Sequence, residues 1–348
     1  MTAAIADVDV DPTGDAAEGL VIRTEDLTKS YGRSVGCEKI CLRVKRGHIF
    51  GFLGPNGAGK STFIKMLVGL HRPTSGCAEM LGAPLGDFQA RARIGFLPEN
   101  FRYQEWLTPI ELLAFHGRLI GMERAQVADA SKRVLAEVGL AEHASKRLSA
   151  FSKGMQQRFG LACALLCGPE LLFLDEPTSA LDPIGRAEVR RILLSVRERG
   201  TTVFLNSHLL GEVEAVCDEV AVIDKGRLVE SGSLADLLAG PCEVEISLAA
   251  PSVAADDAAA AAGGVVIQRD EGRFVVGLSS EDRIPLLVER LVVNGARITG
   301  VQRRKRTLES LFLEVTAEGR EASGREHDTA ASLAAANAPT RLETRDGR

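Results

Sequence analysis

A glycine-rich stretch at residues 54–62, GPNGAGKST, constrains the fold of this chain more than any other segment. It fits the pattern G-x-x-x-x-G-K-[ST], in which the backbone bends around phosphate oxygens with its N–H groups pointing inward. The preceding run HIFGFL predicts a buried strand, and the following run TFIKMLVGL (Thr62–Leu70) has apolar residues at helical spacing. Strand, glycine loop and helix in this order predict a phosphate-binding site in an α/β domain.

The same stretch predicts individual contacts to a nucleotide. We expect Lys60 to reach the β- and γ-phosphates and the Ser61 hydroxyl to bind Mg²⁺. The helix N-terminus adds free N–H groups and a partial positive charge. The residues predicted to surround the phosphates are Gly54, Pro55, Asn56, Gly57, Ala58, Gly59, Lys60, Ser61 and Thr62.

Two further strand ends carry polar side chains. The apolar run of ELLFLDEP ends in Asp175 and Glu176, a form typical of the strand on the Mg²⁺ side of phosphate-loop NTPases. There the first acid holds the metal, and the second can polarise an attacking water. His208 follows the strand TTVFLN, and α/β ligand sites gather at such ends. Acids at strand ends and a lone His often serve only to stabilise a fold. Their occurrence in a chain with a phosphate loop favours a role in the nucleotide site.

The order of patterns along the chain predicts its domains. We expect an acidic disordered segment at 1–19, a nucleotide-binding domain at 20–239, and a mostly helical insertion at about 100–160. Within the insertion, Thr108 and Glu111 form a T-P-x-E capping box. A β-α-β-β-α-β order predicts a small ferredoxin-like α+β domain at 240–316, and the polar composition of 317–348 predicts a disordered tail.

Composition narrows the function classes. The net charge of −5 argues against a nucleic-acid-binding protein. The basic cluster RRKR at residues 303–306 could touch nucleic acid or anionic lipid, but a solvated face is favoured. No apolar run reaches the roughly 18 residues that span a bilayer. The N-terminus carries acids and no basic residue, which predicts a cytosolic chain without a signal peptide.

The segment SKGMQ, Ser152–Gln156, resembles the signature motif of the ATP-binding-cassette (ABC) ATPases. The resemblance covers about residues 20–239. It implies that GPNGAGKST is the Walker A loop, LLFLDE is Walker B, and SALD (Ser179–Asp182) is the D-loop. It also places Tyr31 at the adenine-stacking position and His208 at the switch position. The implied fold is an α/β P-loop NTPase core, the ABC ATPase fold, with a helical insertion.

The resemblance implies an ATPase whose cofactors are ATP and Mg²⁺. Glu176 would be the general base, and Lys60 and His208 would also act in catalysis. Two chains would form a homodimer, in which Ser152, Gly154 and Gln156 contact ATP held by the partner subunit. The family's Q-loop glutamine is Glu99 here, so the implied metal contacts are Ser61, Glu99 and Asp175.

The C-terminal pattern is similar to that of type-2 exporter ATPases. These subunits drive a separate integral-membrane permease from the cytoplasmic face of the membrane, and we expect no transmembrane segment and no nucleic-acid partner here. One alternative is a soluble, non-transport ABC ATPase acting on nucleic acid or ribosomes. Long coiled coils, zinc cysteines or a second cassette would favour it, and the sequence has none. A second alternative, a non-catalytic scaffold, is opposed by the presence of Lys60, Asp175, Glu176 and His208.

Overall fold

A computed structural model describes residues 19–32, 34–179, 181–239, 242–249, 255–270, 272–304 and 306–315. The described chain forms two compact units, the first extending to Leu234 and the second spanning Ala235–Glu314. Apart from Gly19, the segments predicted to be disordered, 1–19 and 317–348, lie outside the described residues. None of the helices in the described ranges combines the length and the hydropathy needed to cross a membrane.

The first unit alternates strands and helices. Its strands are β1 (Leu20–Tyr31), β2 (Ser34–Lys45), β3 (Ile49–Leu53), β4 (Ser75–Met80), β5 (Ala83–Pro84), β6 (Ile94–Leu97), β7 (Leu171–Asp175), β8 (Thr202–Asn206), β9 (Glu219–Asp224) and β10 (Arg227–Ser233). Its helices are α1 (Lys60–Leu67), α2 (Phe88–Arg91), α3 (Pro109–Leu119), α4 (Arg124–Glu137), α5 (Lys153–Leu165), α6 (Pro183–Glu198) and α7 (Leu210–Val216). Helix α8 (Leu234–Leu238) begins at the last residue of this unit.

A six-stranded sheet in the order β10-β9-β3-β8-β7-β6 forms the centre of this unit. The five strands from β9 to β6 pair in parallel, and β10 is antiparallel at one edge. A second, antiparallel sheet has the order β2-β1-β4-β5. Parallel pairing brings the carboxyl ends of β3, β6, β7 and β8 to one edge, where α/β proteins bind ligands.

The central strands are predictable because they are apolar throughout. Every residue of β3, β7 and β8 is buried, as expected for strands covered on both faces. Helix α1 was predicted from Thr62 to Leu70, but it begins at Lys60 and ends at Leu67. The early start arises because the last residues of the glycine loop already form the first helical turn. The early end precedes Gly69, whose φ of +78° leaves the helical region.

The predicted helical insertion contains α3 and α4, for which the apolar spacing predicts helices at about 109–120 and 124–138, within one residue of the observed bounds. Its capping box is present: the Glu111 N–H donates to Thr108 Oγ1 at 3.3 Å, and the Thr108 N–H donates to Glu111 Oε2 at 2.8 Å. These bonds satisfy two N–H groups at the helix start that lack helical partners.

The second unit has the predicted β-α-β-β-α-β order. Its elements are β11 (Cys242–Leu248), α9 (Ala255–Ala261), β12 (Gly264–Asp270), β13 (Arg273–Leu278), α10 (Ile284–Val293) and β14 (Ile298–Arg304), followed by a helix at 308–315. The sheet order β12-β13-β11-β14 is antiparallel throughout and is that of a ferredoxin-like fold. The two helices and the sheet share one apolar core.

The three described arginines of the basic cluster, Arg303, Arg304 and Arg306, are paired with acids inside this unit. Arg303 pairs with Glu281, and Arg304 Nε donates to Glu245 Oε2 at 2.9 Å. Arg306 donates to Glu314 at 2.6 Å. These arginines form an ion-paired, solvated face, the interpretation that the sequence analysis favours over contact with nucleic acid or lipid.

Phe204, at the centre of β8, provides a test of the first unit's core. Its ring is fully buried and lies 5.3–5.5 Å from the rings of Phe50, Phe52 and Phe173. Phe204→Ala should lower the free energy of unfolding by about 3–5 kcal/mol, because it removes ring contacts and leaves a cavity. Phe88→Ala is the matched control, since Phe88 is 79% exposed, and it should change stability by less than about 0.5 kcal/mol. Urea unfolding followed by circular dichroism measures both; equal losses would contradict the central place of Phe204 in the core.

Candidate nucleotide site

The glycine loop joins β3 to α1 at the carboxyl edge of the sheet. At two positions of this loop, neighbouring atoms lie so close that only glycine fits. A Cβ at Gly54 would lie 2.3 Å from the Ile223 carbonyl oxygen, and one at Gly59 would lie 2.0 Å from the Gly36 carbonyl oxygen. Gly59 also has a φ of +105° and precedes α1 without a side-chain cap. The first turn of α1 therefore offers main-chain N–H groups to an anion.

Lys60 lies within this loop, and its side chain folds back over it. The ammonium donates to the carbonyl oxygens of Gly54 at 2.7 Å and Pro55 at 3.1 Å. The residue is only 7% exposed, and burial lowers the pKa of its ammonium. The carboxylates of Glu176, Asp175 and Glu99 act in the opposite direction on that pKa. The structure thus places one cation beside three carboxylates.

A cleft of about 560 Å³ opens over the loop. The predicted residues that line it are Tyr31, Asn56, Gly57, Gly59, Lys60, Ser61, Thr62, Glu99, Glu176 and His208. The predicted residues Gly54, Pro55 and Ala58 form the turn beneath. Tyr31 is 46% exposed, with its ring edge-on to His71 and the Lys29 ammonium 5.2 Å from its centroid. An exposed ring at the cleft can stack on a nucleobase.

The two acids at the end of β7, Asp175 in the strand and Glu176 just after it, have different surroundings. Asp175 is 3% exposed, and Ser61 Oγ lies 3.5 Å from its Oδ1. Glu176 adopts a left-handed φ of +55°, and its Oε2 lies 2.7 Å from His208 Nδ1. The pair formed by Glu176 and His208 borders the same cleft as Lys60. This arrangement can hold a water between a base and bound phosphate.

The oxygen donors suit Mg²⁺ bound together with a nucleotide. Ser61 and Asp175 supply a hydroxyl and a carboxylate at hydrogen-bond distance, and Mg²⁺ takes one or two carboxylates, phosphate oxygens and waters. Among the described residues, no three His, Cys, Asp or Glu side chains are grouped closely enough to hold a metal by themselves. Glu99 lines the cleft from the loop after β6.

The signature residues lie elsewhere on the first unit. Ser152 caps α5, its Oγ accepting from the Met155 N–H at 3.3 Å. Gly154 faces Leu181 of the D-loop, which a Cβ there would meet at 3.6 Å. Ser152, Gly154 and Gln156 are not among the described residues that line the cleft of their own chain. Ala180 of the D-loop lies outside the described residues.

Sequence reasoning missed several cleft residues. Asn206 ends β8 and contacts Asp175, and Ser34, Val35, Gly36 and Ser179 also line the cleft. A polar residue at the end of an apolar strand was the available signal for Asn206, the same signal that identified Asp175. No sequence signal identified Gly36, because the close neighbour of a Cβ there would be Thr62 Cγ2 at 2.9 Å, from another segment of the chain.

Comparisons with known proteins identify the family. Residues 37–179 match the family model described as ABC transporter. An uncharacterized ABC transporter ATP-binding protein of Synechocystis sp. is 37% identical over 316 residues, covering 84% of each chain. The bacitracin transport ATP-binding protein BcrA of Bacillus licheniformis is 44% identical and covers 60% of this chain and 69% of its own. This chain belongs to the ABC transporter ATP-binding proteins. A solved ATP-binding subunit of an ABC transporter superposes with a TM-score of 0.57 at 30% identity, over 62% of this chain and 91% of its own.

Membership settles the general activity. An ABC ATPase binds nucleotide and hydrolyses ATP, and ATP-binding subunits of ABC transporters work with membrane permeases. The relatives support a transporter subunit and do not support the soluble, nucleic-acid-directed alternative. The predicted fold class, an ABC ATPase core with a ferredoxin-like domain, is confirmed.

Gly59 tests the geometry of the loop. Gly59→Ala should reduce ATP affinity at least about tenfold, because the new Cβ strains a left-handed residue and displaces the loop from Gly36. Gly211→Ala is the control, since Gly211 lies in α7 without a left-handed φ and a Cβ there would meet open space. Binding of a fluorescent ATP analogue measures both. Unchanged affinity in Gly59→Ala would show that the loop tolerates the shift.

Proposed function

We propose that this chain is the ATPase of an exporter, in which two copies close on ATP and drive a separately encoded permease at the cytoplasmic face of the membrane. The observation that carries the proposal is the contact of His208 with Glu176 in the cleft that Lys60 and Ser61 also line. Asp175 lies behind Ser61, with its Oδ1 3.5 Å from the Ser61 Oγ. A base, an orienting histidine, a cation and a metal-side acid form a complete hydrolytic set.

Each residue has a role that follows from its position. Lys60 neutralises charge on the β- and γ-phosphates, and main-chain N–H groups of the loop bind their oxygens. Glu176 accepts the proton of the attacking water, and His208 orients that carboxylate. Tyr31 stacks on the adenine. Mg²⁺, when bound, neutralises phosphate charge, and Ser61 and Asp175 hold it.

Glu99 adds a carboxylate to this charge balance. It lines the cleft, and its charge acts on the Lys60 ammonium together with those of Asp175 and Glu176. We place it as a contact to Mg²⁺, directly or through a water. A divalent cation relieves repulsion between neighbouring carboxylates, so this residue favours nucleotide that arrives with its metal.

The signature residues act on the partner subunit. Ser152 and Gly154 lie at the N-terminus of α5, where main-chain N–H groups and the serine hydroxyl can donate to a γ-phosphate. Since they do not line their own cleft in the described structure, a second copy is needed to bring them and Gln156 to ATP. ATP then holds the two copies together, and hydrolysis releases them.

The helical insertion is placed as the element that transmits this motion to the permease. Trp106, Phe115, Leu119 and Ile120 are exposed apolar side chains on or beside α3. Exposed apolar side chains on one element suit contact with another protein. The bacitracin transport relative and the ferredoxin-like unit support an export role.

Glu176→Gln tests the proposed base. This variant should bind ATP normally but hydrolyse it about 10²–10⁴-fold more slowly, because the amide cannot accept the proton of water. It should also accumulate an ATP-bound dimer on size-exclusion chromatography. Glu142→Gln is the control, since Glu142 is exposed in the insertion and outside the cleft. Turnover near the wild-type value in Glu176→Gln would refute the assignment.

Ser152→Arg tests action between subunits. The variant should retain ATP binding by each chain but fail to close the dimer, because the arginine blocks the partner's nucleotide. Lys60→Ala should instead lose ATP binding, because the loop loses its cation. A mixed dimer of the two variants has one doubly defective site and one intact site, so part of the activity should return. If mixed dimers form and remain inactive, the composite site is wrong.

A further inference from the structure

We propose that Asn206 is a positioning residue for Asp175, and that it sets the affinity of the site for Mg²⁺ and thereby the rate of hydrolysis. This inference rests on the function proposed above and names a residue that belongs to none of the sequence motifs. Three features of Asn206 support the proposal: its place in the sheet, its two contacts, and the cost of burying its side chain.

Asn206 occupies the last position of β8, between the glycine loop and the acids. In the register of the sheet it is the partner of Phe52 on β3 and of Asp175 on β7. It is 1% exposed, yet it borders the nucleotide cleft. Among the described strands of this sheet, β8 alone stands next to both the strand that leads into the phosphate loop and the strand that ends in the metal-side acid, because it lies between β3 and β7.

The side chain of Asn206 holds the carboxylate of Asp175. Its Nδ2 donates to Asp175 Oδ1, the same oxygen that lies 3.5 Å from Ser61 Oγ. An ionised carboxylate only accepts hydrogen bonds, so the amide nitrogen must face it. Two donors on one oxygen fix the plane in which the carboxylate lies. A metal ligand held in this way binds its ion more tightly, because less freedom is lost on binding.

The main chain of Asn206 holds the second acid. The Glu176 N–H donates to the Asn206 carbonyl oxygen at 2.9 Å. Glu176 has a left-handed φ of +55°, a conformation that is costly for a residue with a side chain. This main-chain bond is retained whatever side chain stands at position 206. Substitutions there therefore isolate the contact to Asp175 from the support of Glu176.

Packing alone does not account for an asparagine here. Within the described residues, Asn206 Oδ1 is buried and has no hydrogen-bond partner. An unsatisfied buried oxygen lowers stability, and an apolar side chain of similar size would avoid that cost. The other four residues of β8 are also buried, so the position is compatible with an apolar residue. The contact to Asp175 is the feature that an apolar replacement would lose.

The test compares Asn206→Leu and Asn206→Ala with the wild type. Leu keeps the volume and removes the donor, whereas Ala removes both, so Leu remains informative if Ala fails to fold. ATP affinity is measured by titration across a range of Mg²⁺ concentrations and again in EDTA. A hydrogen bond to a charged group corresponds to a factor of about 10–100 in an equilibrium constant.

We expect the Mg²⁺ midpoint of Asn206→Leu to rise by about 10–100-fold and kcat to fall by a similar factor. Its ATP affinity in EDTA and its melting temperature should not fall, because the fold and the phosphate loop are intact. Asn294→Leu is the matched control, since Asn294 is exposed at the end of α10 in the second unit, and it should behave as the wild type.

Three results would overturn the inference. An unshifted Mg²⁺ midpoint in Asn206→Leu would show that Asp175 does not need this contact. An equal loss of affinity in EDTA would show that the substitution distorts the whole cleft. If instead wild-type ATP affinity is indifferent to Mg²⁺, the proposed metal role fails and this inference fails with it. A responsive wild type with an unshifted variant contradicts only the role of Asn206.

Discussion

The parallel pairing of β3, β8 and β7 is the constraint on which the nucleotide site depends. Each strand carries a different part: β3 leads into the phosphate loop, β7 ends in Asp175, and β8 ends in Asn206. Parallel strands place all of these ends at one edge, and hydrogen bonds between strands fix their spacing. Because these strands are fully buried, a shift in their register would require rearrangement of the aromatic core around Phe204.

Electrostatics couples the same strand ends. A buried ammonium is unfavourable unless carboxylates lie near it, and several buried or neighbouring carboxylates are unfavourable without a cation. Lys60 and the acids Asp175, Glu176 and Glu99 therefore stabilise one another across segments that are distant in sequence. A nucleotide with its metal adds both negative and positive charge to this cluster. Binding of ATP together with its metal therefore changes the net charge of the cleft less than binding of free ATP would.

The sequence predicts features that are local, and misses those that arise between segments. The phosphate loop, the acids after β7 and the capping box of Thr108 were predictable because each is a short pattern with its own physical cause. Gly36 could not be identified, because the lack of room for a side chain there comes from Thr62, in another segment of the chain. Helix α7 and the short α2 were also missed, since neither has enough turns to show an apolar period. The roles proposed for Ser152 and Gly154 depend on a second copy, so the structure of one chain does not contain them.

The left-handed backbone of Glu176 has a consequence for protein engineering. Glycine and asparagine adopt this conformation at lower cost than glutamate does. A procedure that optimises thermal stability alone would therefore favour replacing the residue placed here as the general base. Designs that start from this chain need to hold position 176 fixed and seek added stability elsewhere. At this position, conformational preference and chemistry favour different amino acids.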